Sequence, residues 1–470
     1  MIDFSGASKN EEIRRILGKK GARVYFVGIG GISMSALALL LVKRGCRVSG
    51  SDVRKSEITD MLRSHGVLVR HTHAKEHIMS HRPELAVFSL ALDPSNPEYK
   101  AALDMNVPVV SRAELLGALL EDFDTATGVS GSHGKSTVTA MLGRILTDAN
   151  KSPTILCGAD ISGGSGLVLG GGEHLVYESC EYGNSFLKLR ADVQLLLNLE
   201  LDHTDYFKSE SALCESFLKC ANNARRCCIL NYDSENLRSI ASEIKTELHT
   251  VSQRFDTEYR YEARRGEGAS YSFSLYRNDE LIGEYRPRLR GEFNAVNSVL
   301  SAVGADVLGI SYDVSSRSIA AFSGIKRRLE LIEKTEGVDV FYDYAHHPSE
   351  IRAVRLALLE MGYKNTSVIF APHTYSRTAS FFDSFVKELA EFHTVYVTDV
   401  YGARESAVVG ISSTAVASAI RGIGGRAHSV SPTEANGVVS EILAKKPDAL
   451  VLMGAGDVEE FRKEIMNIRG

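Results

Sequence analysis

Apolar runs, glycine turns and helix-spaced apolar positions alternate along most of this chain. RVYFVGIGGISMSALALLLVKRG, residues 23–45, reads as a short buried strand, a glycine turn and an apolar helix. RVSGSD, LAVFSLAL and PVVSRAEL supply further strand ends, and this first unit ends near Ala113. A second unit holds GVSGSHGKSTVTAML and the strand-like runs HLVYESCE, VQLLLNLELDH and RCCILNYD. A glycine-rich, weakly hydrophobic loop lies between Gly158 and Gly172. From about Arg260 to Arg290 the alternation turns strand-like without helices, which predicts a small antiparallel addition to a parallel core. FNAVNSVLSAVGADVLG closes the unit as a helix. The third unit spaces VDVFYDYA, TSVIFAP, TVYVTDVY and ALVLMGAG evenly, with helical stretches such as SEIRAVRLALLEMG between them. The pattern predicts an α/β protein of three domains, 1–113, 114–325 and 326–470, built on mostly parallel sheets.

Composition narrows the picture. A chain of 470 residues is long enough for two to four domains. Its net charge of −5 comes with no basic block, which argues against a nucleic-acid surface. The N-terminal MIDFSGASKNEEIRRILGKKG is charged throughout, and no apolar run is long enough to span a bilayer. A soluble cytoplasmic protein with no membrane partner is expected. Seven cysteines at irregular spacing, without a CxxC pair, predict reduced and mostly packed thiols, not disulfides or structural zinc.

The candidate chemistry starts at Gly131, Ser132, His133, Gly134, Lys135, Ser136 and Thr137. A glycine-broken turn entering a helix points backbone N–H groups and the positive helix end at an anion. Lys135 would reach the terminal phosphates of a nucleotide, and Ser136 would hold magnesium. The motif is a compact Walker loop, with Val129 where the first glycine stands in the full pattern. Two strand ends offer further magnesium ligands: HLVYE ends in Glu178, with Glu181 beyond it, and LLLNLELDH ends in Asp202 and His203. GIGGIS, Gly28 to Ser33, followed by Asp52 is a Rossmann-like fingerprint on which a pyrophosphate could rest. DYAHHPSE (343–350) and APHTYSRT (371–378) group histidines and an arginine after strands, on the binding edge of a sheet, and KRRLE (326–330) marks a domain boundary.

Together these segments resemble the Mur ligases. The likeness runs through nearly the whole chain, in VYFVGIGGISMSALA, GVSGSHGKSTVTAML, ESCEYGNSFL, NLELDHTDYF, GEFNAVNSVLSA, FSGIKRRLEL, DYAHHPSEI and PHTYSRT. GIGGIxMS with DYxHHPxE marks one branch of that family. The resemblance implies a Rossmann-like N-terminal domain for a UDP-linked substrate, a central P-loop ATPase-type domain and a Rossmann-like C-terminal domain for the amino acid. It implies that ATP phosphorylates the lactyl carboxylate of UDP-N-acetylmuramate and that the amine of L-alanine attacks the acyl phosphate. Amide, ADP and phosphate result, as the first amino-acid addition in peptidoglycan precursor synthesis.

By the same resemblance Lys135 steadies the transferring phosphoryl group, Ser136 and Glu178 bind one magnesium ion, and His203 binds a second. Asn294 and Asn297 hold the adenine, while Arg328 and Asp343 reach the nucleotide from the C-terminal side. Gly28, Gly30, Gly31, Ser33, Met34, Ser35 and Asp52 hold UDP, and His347, His373 and Arg377 face the amino acid. ATP is the implied co-substrate, magnesium the implied cofactor, and a monomer or weak homodimer the implied state.

Some positions depart from the family's pattern. Phe293 stands where many relatives have histidine, and ESCEYGNSF carries fewer carboxylates than its counterpart. CGADISGGSG matches poorly. Thr374 stands where many relatives have arginine, which leaves Arg377 as the cation of its motif and the expected anchor for an amino-acid carboxylate. Arg377 is expected just before the helix TASFFDSFVKELAEF, and Lys135 on an exposed loop. Three other functions compete: joining a whole peptide to the same nucleotide, NAD-dependent oxidoreduction on GIGGIS and Asp52, and non-catalytic nucleotide sensing.

Overall fold

The computed structural model describes residues 10–89, 93–161, 163, 165–202, 204, 206–335, 337–402, 405–455 and 458–468. Among these, three sheets account for the three runs of alternating pattern. The first has five parallel strands in the order Leu68–Arg70, Arg47–Ser51, Arg23–Val27, Leu85–Phe88 and Val109–Ser111. Chain direction across this sheet switches at Arg23–Val27, so the turn Gly28–Gly31 lies at the crevice where such sheets bind ligands. The expected boundary at residue 113 falls within the helix Arg112–Leu120, which Ser111 and Glu114 start with a capping box.

The middle sheet has ten strands. At its centre Thr125–Ser130 lies between Val193–Leu196 and His174–Glu178, parallel to both. Their carboxyl ends therefore release the glycine loop, the 197–202 segment and Glu178 side by side. Tyr259–Arg265 still pairs parallel to Glu247–Ser252, and beyond it the sheet turns antiparallel through Tyr271–Arg277 and Glu280–Tyr285. The antiparallel addition is thus an extension of the parallel sheet. The glycine-rich loop expected over 158–172 contains a short strand, Leu167–Val168, antiparallel to Thr154–Leu156. The third sheet has six strands, parallel except for the edge strand Glu330–Thr335 on Val338–Asp343.

The two joints between domains differ in chemistry. One apolar cluster runs from Val24, Phe26, Leu37 and Leu41 through Leu116 and Leu119 to Leu156, Leu175 and Leu189. The first domain and the middle one therefore share a core. The C-terminal domain instead meets the middle one through polar pairs, among them Lys326–Asp160 at 2.8 Å, Thr204–Ser380 at 3.0 Å and Arg377–Asp202 at 2.9 Å. The crossing segment adopts left-handed backbone at Gly324, Arg327 and Leu329 (φ 95°, 62° and 46°). Asp343 fixes it by accepting from the Leu329 and Ala345 N–H groups at 2.6 and 2.7 Å. Burial pushes the Asp343 carboxyl up to about 6.

Candidate active site

The glycine loop turns between Thr125–Ser130 and the helix Lys135–Asp148 with Gly131 at φ 150° and Gly134 at φ 84°. A Cβ at Gly134 would lie 2.5 Å from Asn297 Oδ1, so the position requires glycine on both counts. The 197–202 segment staples the loop from outside. Asn198 accepts from the His133 N–H at 2.8 Å and donates to its carbonyl at 3.0 Å. The Ser132 hydroxyl donates to the Glu200 carbonyl and accepts from its N–H, at 2.8 and 2.9 Å. Lys135 is not the exposed residue the motif suggested. Its side chain is 16% exposed and pairs with Glu181 at 3.1 Å, and its Nζ also donates to Ser132 O at 3.2 Å. Burial works against its charge, but Glu181, Cys180 and Glu178 hold its pKa above the ordinary lysine value.

Glu178 sits at the end of the neighbouring strand and accepts from the Gly158 N–H and from the Cys157 thiol, at 2.5 and 3.1 Å. A Cβ at Gly158 would lie 2.8 Å from Glu178 Oε2, so any larger residue there would push the carboxylate aside. The Cys157 sulfur also lies 3.6 Å from the Ser136 carbonyl, which puts Ser136 and Glu178 around one thiol. A serine hydroxyl and a carboxylate at a helix N-terminus are hard oxygen donors, and they fit magnesium. His203, the expected second ligand, lies outside the described residues.

The C-terminal domain reaches this loop through Glu350. His133 Nδ1 lies 3.0 Å from Glu350, its Nε2 lies 3.3 Å from Glu200, and Ser349 Oγ is 3.0 Å from the same Nε2. Burial would depress the His133 imidazole, but Glu350 and Glu200 hold it at about 9. Glu200 in turn falls to about 2, chiefly through its bond to His133. Arg328 places its guanidinium 3.8 Å from Glu350 and over the Tyr344 ring. Burial holds His346 down at about 4 and keeps His347 below the ordinary histidine value, so both are neutral near pH 7. Two cavities open here. One of about 480 Å³ is lined from all three domains, by Ile32, Ser136, Gly158, Arg328 and Tyr344 among others. The other, about 580 Å³, is lined by Asn198, Asn231, Asp233, Gln253, Tyr261 and Glu292.

Family models match this chain in three consecutive blocks: the Mur ligase catalytic domain over residues 23–124, the Mur ligase middle domain over 129–305, and the glutamate ligase domain of Mur ligases over 327–456. A UDP-N-acetylmuramate–L-alanine ligase of Caldicellulosiruptor bescii is 36% identical over 93% of this chain and 97% of its own. One of Anaeromyxobacter is 32% identical over 95% and 98%. The chain belongs to the Mur ligase family. Its fold agrees with a solved UDP-N-acetylmuramate–alanine ligase from Thermotoga maritima (TM-score 0.80, 24% identity, 95% of this chain and 99% of that one). It also resembles a murein peptide ligase from Psychrobacter arcticus (TM-score 0.70, 21% identity, 95% and 98%).

Within this Mur ligase the residues singled out by motif fall into three groups. Ser136 and Arg328 line the 480 Å³ cavity, Glu178 meets it through the Gly158 N–H, and His133 and His347 pack against each other at the contact beside it. Gly28, Gly30, Gly31 and Asp52 form the N-terminal turn. Asp52 accepts from the Gly30 N–H at 2.9 Å, and a Cβ at Gly30 would press against that carboxylate. Ser33 lies against Cys157 and Glu178. Met34 and Ser35 need correcting as ligand-facing side chains. Met34 is packed in the shared core, and the Ser35 hydroxyl, 1% exposed, donates to Ile32 O.

Asn294 and Asn297 are buried on one helix, 3.4 Å apart, and do not line the 580 Å³ cavity beside them. Asp343 braces the crossing segment. His373 stacks with Tyr401 and bonds Arg377 at 3.0 Å. Arg377 lies inside the short helix Tyr375–Ser380, which Thr374 caps, and grips Asp202 with two bonds of 2.9 and 3.1 Å. It is thus already paired with a carboxylate. Asn198, Glu200 and Glu350 were missed. NLELDH and DYAHHPSE contained them, but nothing local marks them as partners of His133.

Proposed function

We propose that this chain joins L-alanine to the lactyl carboxylate of UDP-N-acetylmuramate at the expense of ATP. Curated relatives of that name, 32–36% identical across most of the chain, support the reading. So does the convergence on one cavity of Ser136 from the nucleotide loop, Gly158, whose N–H donates to Glu178, and the C-terminal Arg328. A carboxylate is a poor electrophile, and the site divides the labour accordingly. Gly131–Thr137 cradle the phosphates, and Lys135 leaves Glu181 to meet charge on the transferring phosphoryl group. Ser136 and Glu178 would hold magnesium, with His203 for a second ion; the metal neutralises phosphate charge.

Gly28, Gly30, Gly31, Ser33 and Asp52 would seat the UDP portion. The 580 Å³ cavity would take the nucleoside of ATP, with Asn294 and Asn297 positioning its wall. Neutral His346 and His347 border the closure contact, and His347, with His373 and Arg377 of the same domain, would face the amino acid. A site lined from three domains is complete only when they close. The expected domain limits, a cytoplasmic location and a monomeric or weakly dimeric state belong to the same reading. Among the described residues, no helix is long and apolar enough to cross a membrane.

The test is phosphate release from ATP with UDP-N-acetylmuramate present and single amino acids or a tripeptide as acceptor. L-alanine should support turnover. Release with the tripeptide alone would give the peptide-joining activity instead, and no release with any acceptor would refute both.

A further inference from the structure

Where the C-terminal domain closes on the nucleotide loop, the contacting side chains form the donor set of a transition-metal site. We propose that His133, Glu200 and His347 together bind a divalent transition metal, with zinc the best match, at the joint between the middle and C-terminal domains. The site shares no residue with the expected magnesium ligands Ser136, Glu178 and His203, and it does not rest on the ligase reading.

One donor atom from each of the three residues lies within 4.8 Å of the others. His133 Nε2 is 3.3 Å from Glu200 Oε2, and His347 Nδ1 is 3.9 Å from the same oxygen. Zinc bonds of about 2.0–2.1 Å in a tetrahedron set ligand atoms about 3.3 Å apart. One edge of the tetrahedron is already in place, and the others need only small side-chain shifts.

The hydrogen-bond pattern presents the correct lone pairs. His347 Nδ1 accepts from the Ser349 N–H at 3.3 Å, so the nitrogen nearer Glu200 is the unprotonated one, and a metal ion would take over the lone pair that the Ser349 N–H now uses. Burial keeps that ring neutral. A lone pair and a carboxylate thus face each other and call for a cation between them. In the metal-free protein the His133 imidazolium supplies it, and a metal ion would displace that proton. Glu350 holds the opposite nitrogen of His133 at 3.0 Å, which is the carboxylate–histidine pairing that orients metal-bound imidazoles. Ser349 Oγ lies 3.0 Å from His133 Nε2 and 2.8 Å from His347 Nδ1, at the fourth corner. Two imidazoles and one carboxylate suit zinc, cobalt or nickel, whereas magnesium demands octahedral oxygen. Two ligands come from the middle domain and one from the C-terminal domain, so the complete site exists only in the closed molecule, and its metal would resist opening.

Calorimetric titration of metal-free protein with Zn2+, in excess Mg2+ to saturate the oxygen site, should show one tight equivalent. Co2+ in its place should give the intense visible bands of tetrahedral coordination. Glu200→Gln and His347→Gln should each weaken binding by about tenfold or more and abolish the zinc-dependent rise in thermal midpoint. Glu200 is 46% exposed, so its substitution leaves the fold intact, and circular dichroism of both metal-free variants verifies this. Absence of Zn2+ binding to the wild-type protein, unchanged binding by both folded variants, or a weak octahedral Co2+ spectrum would each overturn the site.

Discussion

Lys135 and Arg377 are each held by a buried carboxylate from a distant part of the chain, and this changes what their removal does. Lys135→Ala should lower turnover by roughly a hundredfold or more, because it removes a charge aimed at the transferring phosphoryl group. It also removes the cation beside Glu181, which is 3% exposed at its side chain, so the folded state should lose about 1–3 kcal/mol as well. Turnover assays and thermal melts on the same preparation separate the two effects. An unchanged melting temperature would contradict the pair. Arg377→Ala breaks a buried two-bond pair, and about 3–5 kcal/mol should be lost before any substrate is added. Arg377→Ala combined with Asp202→Ala should cost less than the sum of the singles, as a double-mutant cycle by chemical denaturation would read. If instead Arg377→Ala raises only the KM for L-alanine and leaves stability intact, the arginine is an amino-acid anchor and nothing more. Thr374→Ala should cost about 1 kcal/mol, as the loss of a helix cap. The sequence singled out both cations, and both carboxylates as candidate metal ligands, but not their pairing. Lys135 is set by its local loop, whereas Arg377 and Asp202 are 175 positions apart, and no pattern along a chain marks such a pair.

The elements with a local signature were the legible ones. The strand, glycine turn and helix around Lys135 follow from residues within one turn of each other. The bracing of the nucleotide loop was not legible, because it comes from the end of another strand. Asn198→Ala should therefore weaken ATP binding measurably, although Asn198 belongs to no nucleotide motif. It removes two hydrogen bonds that hold His133, each of about 1 kcal/mol. Calorimetry with a non-hydrolysable ATP analogue reads the loss directly, and an affinity equal to wild type would mean that the loop holds its own shape. A similar hidden brace lies under the first sheet. Glu98, wholly buried, accepts from Tyr25 and Ser51 and bonds His73 and His77 at 2.6–2.8 Å. Nothing in NPEYKAALD set that glutamate apart from an ordinary helix-surface residue.

At the scale of the molecule the closure contact should respond to pH through His133. Its folded value of about 9 exceeds the ~6.5 of an unfolded histidine, so its stabilising pairing is fully present below about 6.5. It is lost as pH rises through about 9, and at about 1.4 kcal/mol per pH unit its full worth is on the order of 3 kcal/mol. Stability measured from pH 6.5 to 9.5 should fall further in the wild-type protein than in His133→Gln; parallel curves would remove His133 from the closure contact. The polar joint where this happens contrasts with the apolar joint on the other side of the middle domain, and the contrast has a meaning for biosynthesis. The core of the first domain includes Leu156, Leu175, Leu189 and Ala191. A nascent chain released only to residue 120 would present Leu115, Leu116, Leu119 and Leu120 to water, and the first domain must wait for some seventy further residues, roughly four to fourteen seconds of translation, to finish its core. The final domain borrows no such surface. It can fold from its own two apolar clusters after everything before it has settled, and it docks last.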